Sequence, residues 1–126
     1  VRHNHAAPSP LAWKPGPTHA ASALEVYPAG PLAARTWPRS GYHGAANAAV
    51  ARRRELPHAL AEQVAFSADA AKEMARTDHA LDAVLCVCAG LDFLAGNAVP
   101  PEDRSLAAKE GWIWVSPTCG LDTPHR

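Results

Sequence analysis

Aromatic side chains are scarce in this chain, at 6% of its residues. Its packing must therefore rest on alanine, leucine and valine, a composition that suits helices because alanine gives up no side-chain entropy there. Net charge is missing as well. Lys plus Arg and Asp plus Glu both number 12, which excludes a global field steering the molecule to nucleic acid or to an anionic membrane. Any such binding has to come from a local patch. The three cysteines are too few, and odd in number, for a disulfide framework, so a reducing compartment is expected, with the cytoplasm as the default. Long apolar runs are absent too. The most apolar stretch, residues 80–96, is broken by Asp82 and Asp92 and falls short of the ~20 residues a membrane span needs. The opening VRHNHAAPSP lacks the apolar core of an export signal, and no stretch recurs at the fixed period of a solenoid.

What is present reads as one globular domain: 126 residues, 48% hydrophobic and 19% charged, punctuated by 12 prolines and 8 glycines. Residues 1–22, rich in proline and histidine and without a hydrophobic period, are expected to be an irregular or disordered lead. A short strand is expected at 23–27, closed by Pro28, whose ring removes a ladder donor. A short helix at 31–36 and a loop from Trp37 to Gly44 follow. Residues 45–56 read as a helix that Pro57 ends or kinks, with a second stretch at 57–65. Ser67 suits the N-cap of a helix at 68–76, with Asp69 in its first turn. The strongest helical signal starts after Thr77, with Leu81, Val84, Leu85, Cys88, Leu91 and Leu94 at near-3.6 spacing and Gly96 or Asn97 to stop it. Pro101 opens a further helix to Glu110, Gly111 ends it, and 112–115 read as a short strand before a tail at 118–126.

Chemistry concentrates at the start of the long helix. Asp78, His79 and Asp82 occupy its first turn and a half, and residues three or four apart share a face, so Asp82 can converge with either neighbour. Such oxygen-rich ligands suit Mg²⁺ or Mn²⁺, with Glu25 available from the preceding strand to complete the set. A plainer reading stands beside this one. Acids at a helix N-terminus complement the dipole, and Glu25 on an edge strand would simply face solvent. Asp82 lies deeper, where an unpaired carboxylate would be costly to bury and so calls for a partner or a cleft.

The succession LEVYP, a small-residue helix, GYH, DHALDAVLCVCAGLDFLAG and VPPEDRSLAAKEGWIWV resembles, over residues 23–117, the C-terminal half of the domain of unknown function 429 family. Members of that family are predicted nucleases of RNase H-like fold. The resemblance implies an α/β domain, a mixed sheet flanked by helices, here helix-rich and without the N-terminal strands. It also implies a carboxylate-held pair of divalent metals, Mg or Mn, that hydrolyses phosphodiesters of DNA or RNA. On that pattern Glu25 is the central-strand acid, Asp82 the helix acid, His79 the histidine of a His-x-x-Asp arrangement and Asp78 a substitute ligand. The first strand with its acid has no counterpart in residues 1–22, so the chain is expected to be a fragment or a truncated copy, inactive alone. His43 stands where family members show lysine after Gly-Tyr. The alternative is a non-catalytic helical interaction or dimerisation module, in which the apolar helix buries its uncovered face in a partner or a second copy.

Arg52, Arg53 and Arg54 span about 200° of helix, as do Cys86 and Cys88, so the former make no flat phosphate-binding face and the latter do not chelate one metal. Val1 with His3 is an arrangement able to chelate Cu²⁺ or Ni²⁺, His5 could also bind a metal, and Cys119 is remote from the other thiols. Trp112 and Trp114 point the same way on one strand and suit packing.

Overall fold

The computed structural model describes residues 10–117 and holds five helices: α1 (Ala29–Ala34), α2 (Asn47–Leu60), α3 (Ala68–Arg76), α4 (Asp78–Leu94) and α5 (Arg104–Glu110). His3, His5 and Cys119 lie outside the described residues. The helix starts follow from local chemistry. Ser67 Oγ accepts from the Ala70 amide at 3.1 Å, Thr77 Oγ1 from the His79 amide at 3.3 Å, and Asp103 Oδ1 from the Leu106 amide at 2.9 Å, each relieving an amide that the first turn leaves unpaired. Gly111, at φ 92°, closes α5 in a conformation that side chains with a Cβ rarely adopt. Pro57 neither ends nor kinks the chain out of helix. It is buried inside α2, and its carbonyl accepts from Ala61, so Leu56 and Leu60 on either side both reach the core. The packing of those leucines offsets the one hydrogen bond that proline forfeits.

Among the described residues the expected mixed sheet of an RNase H-like fold is absent. Among the described residues the β pairings are two isolated parallel bridges, Leu11 with Ala23 and Val26 with Trp114. The expected strands at 23–27 and 112–115 are extended segments joined to each other by the Trp114 amide donating to Glu25 O at 2.9 Å. The physical reason lies in burial. Parallel sheet needs cover on both faces, yet Leu11, Tyr27, Ile113 and Val115 are exposed, and Pro28 turns the chain straight into α1 after five residues. The result is a helical core with a few extended segments against it.

That core joins Leu32 of α1, Leu56 and Leu60 of α2, Met74 of α3, and Leu81, Leu85 and Cys88 of α4, together with Tyr42 from the loop before α2. Helices α1 and α3 pack on α4, and α2 packs on α3. At the far end of α4, Phe93 meets Trp114 edge to face with ring centroids 4.9 Å apart. Asp92, the second acid in the apolar run, accepts from Arg35 of the α1 end at 3.0 Å through both oxygens and from Ser116 Oγ at 2.5 Å, which ties the C-terminal segment down. Residues 10–22 carry no helix but are held by Ala12 and Ala23 amide bonds and by the Gly16 amide donating to Phe93 O. No helix among the described residues is long and apolar enough to cross a membrane.

Candidate functional site

The N-terminal pole of α4 is where the sequence places most chemistry, and it is built from three pieces. Asp78 opens the helix and Asp82 follows one turn later. The segment Gly41–Tyr42–His43–Gly44 lies over both carboxylates, with its two glycines at φ 84° and 85° making turns that other residues would strain to adopt. From behind, Arg53 of α2 grips that segment. Its guanidinium, only 2% exposed, donates to Tyr42 O at 2.5 Å, to Gly44 O at 2.8 Å and to Ala75 O near the end of α3 at 3.1 Å.

Each acid is thereby engaged. Tyr42 Oη donates to Asp82 Oδ1 at 3.0 Å; the Gly44 amide donates to Asp78 Oδ2 at 3.0 Å, and His43 Nδ1 lies 3.4 Å from the same oxygen. The other oxygen, Asp78 Oδ1, accepts from the His79 amide at 3.0 Å and so caps the helix it begins. These contacts set the proton chemistry. Burial, then the hydrogen bond to Asp82 and its charge, push the Tyr42 phenol well above its ordinary range, so it stays a donor. The Gly44 amide, then His43 and the neighbouring His79, hold the Asp78 carboxyl below its usual value.

Placed against expectation, Asp78 and Asp82 do share a face of α4, and Tyr42 and His43 draw both into one cluster. The His79 side chain is exposed and its backbone, rather than its ring, takes part. Glu25 stands elsewhere. It is exposed, its carbonyl receives the Trp114 amide, and its Oε2 lies 3.2 Å from where a Cβ on Gly111 would sit. Among the described residues no three His, Cys, Asp or Glu side chains come together as a metal-holding group. The residues present therefore do not fit a two-metal site, since Asp82 and Asp78 already hold protein donors and Glu25 does not join them. Among the described residues the thiols offer no alternative: Cys88 is buried, Cys86 is half-buried, and burial pushes both up from their usual range.

Two residues of this pole escaped sequence reasoning. Tyr42 carried a signal in its flanking glycines, which mark a tight turn beside an aromatic. Arg53 carried none, because a run of three arginines does not say which one points inward.

Residues 9–105 match the family described as protein of unknown function DUF429, and the chain belongs to that family. The matched region takes in α1 to α4 and ends as α5 begins, ahead of the EGWIWV segment. No curated protein and no solved structure matches the chain.

Proposed function

We propose that the chain is a non-catalytic helical module that associates with a second copy of itself through the outer face of α4. The observation that carries this reading is the exposure of Val87, Leu91 and Leu94, at 50%, 44% and 43%, on a helix whose opposite face is buried at Leu81, Leu85, Cys88 and Phe93. Helices apolar on all sides are ordinarily covered on all sides. A second copy suits the face because the face is complementary to itself. A two-fold axis level with residues 88–89 sets Leu94 of one copy over Ala83 of the other, Val87 over Gly90 and Leu91 over Cys86, with large side chains meeting small ones. Gly90 gives this row an open notch, since a Cβ there would meet nothing within 4 Å. Zero net charge removes the long-range repulsion between copies.

One helix crossing buries less than a standard interface, so the affinity is on the order of micromolar rather than nanomolar. Sedimentation equilibrium across that concentration range tests the proposal. The chain is expected to pass from monomer to dimer, and Leu91→Glu, which puts a charge on the exposed face without touching the core, is expected to remain monomeric with an unchanged far-UV spectrum. A wild-type chain that stays monomeric throughout, or a Leu91→Glu chain that dimerises equally, sinks the reading.

A further inference from the structure

The three consecutive arginines of α2 part ways in the fold. Arg53 turns inward, Arg52 pairs with Glu55 at 3.3 Å, and Arg54 is exposed and makes no ion pair among the described residues. Arg54 instead lines a surface groove between α2 and α3. The groove consists of two adjoining hollows of about 340 and 480 Å³ that share Arg54, Lys72 and Ala75. Arg76 completes the cationic end, while Pro57 and Phe66 form an apolar floor at the other, with His58 on its rim. In a chain with no net charge this is a local departure, and a local patch is what nucleic-acid binding would require.

We infer that this groove binds single-stranded nucleic acid, its phosphates meeting Arg54, Lys72 and Arg76 and one base lying over Phe66. The acids nearby do not close the groove. Asp69 and Glu73 reach Lys72 and Arg76 along α3 at 3.4 and 2.7 Å, but all four side chains are at least half exposed, and exposed pairs of that kind contribute little and exchange readily for a phosphate. Phe66 is half-buried, anchored against the core on one side and open to the groove on the other, which gives a fixed aromatic surface. Cations alone would suit any phosphate ester; the aromatic floor next to them favours a strand whose bases can stack without regard to sequence.

Fluorescence anisotropy with labelled mixed-sequence 12-nucleotide DNA and RNA strands, at 50 to 200 mM salt, tests the assignment on the intact chain. Saturable binding is expected, with log K falling against log salt at a slope of roughly −2, as contact with about three phosphates of a single strand requires. The double variant Arg54→Gln/Lys72→Gln, at two exposed positions, is expected to lose about tenfold or more in affinity and to flatten the slope by about one to two. Phe66→Leu keeps the apolar filling and is expected to weaken binding about fivefold or more while leaving the slope as it was. Leu91→Glu is expected to bind as wild type does, which separates this groove from the α4 face. Absence of binding by a folded chain at 50 mM salt, or undiminished binding by the double variant, overturns the inference. So does a phosphoserine peptide that binds as tightly and is indifferent to Phe66→Leu.

Discussion

Arg53 brings a full charge into the interior and, among the described residues, pairs there with no carboxylate but with three backbone carbonyls, two from the Gly41–Gly44 loop and one from α3. Its value lies in what it joins: the loop that holds Asp78 and Asp82, the helix it sits on, and the end of α3. Replacing it with methionine fills much of the volume but leaves Tyr42 O, Gly44 O and Ala75 O without their donor. Unmet buried carbonyls cost about 1–3 kcal/mol each, and partial rescue by water brings the expected total to about 3 kcal/mol or more. Urea unfolding of Arg53→Met measures it directly, and a loss under about 1 kcal/mol would show that the loop holds without the clamp. The neighbouring arginines predict the contrast. Arg52 and Arg54 are on the surface, and their replacement should shift the same curve by less than about 0.5 kcal/mol.

At the level of the element, α4 combines a well-marked start with an ambiguous face. Thr77 and Asp78 make the start legible, because caps act over two or three residues. Asp78 also makes stability depend on pH. Its folded-state pKa lies below the unfolded value, so the stabilisation is present above the unfolded aspartate pKa of about 3.9 and is lost as pH falls through the lower folded value. Thermal melts between pH 6 and 2.5 should therefore show a smaller acid-induced fall for Asp78→Asn than for wild type; identical slopes would assign the acid sensitivity to other carboxylates. The buried face is another matter. The near-3.6 pattern selects Leu81, Val84, Leu85, Cys88, Leu91 and Leu94 for the core, but the buried row runs Leu81, Leu85, Cys88, Ala89, Phe93. Steps of four residues advance about 40° beyond a full turn, so the row slides around the helix and leaves Leu91 and Leu94 outside. Partners on α1 and Trp114 choose that slide, and a helix apolar on every side offers no local signal against it.

For the whole molecule, cohesion is uneven. The helical core shares Leu32, Leu60, Met74, Leu81 and Leu85, all but fully buried, whereas the Leu11–Ala23 pairing rests on two amide bonds beside an exposed leucine. Segments with few buried contacts open at low free-energy cost. Hydrogen exchange should accordingly show the amides of Ala12 and Ala23 exchanging well ahead of those of Leu85 and Ala89. Equal protection would mean that the extended segments unfold only with the core.

Segments of this chain whose structure depends on near neighbours are readable without coordinates. The N-caps at Ser67 and Thr77, the stop at Gly111 and the convergence of Asp78 with Asp82 on one helix face all rest on bonds or spacings within four residues. The sheet, the inward turn of Arg53, the docking of Tyr42 on Asp82 forty residues away and the separation of Glu25 from the acids of α4 depend on pairs distant along the chain. Their outcome turns on which surfaces find cover, and strand-forming composition at 23–27 and 112–115 does not make a sheet when the available partners cover one face, at Trp114, and leave Tyr27, Ile113 and Val115 open to water.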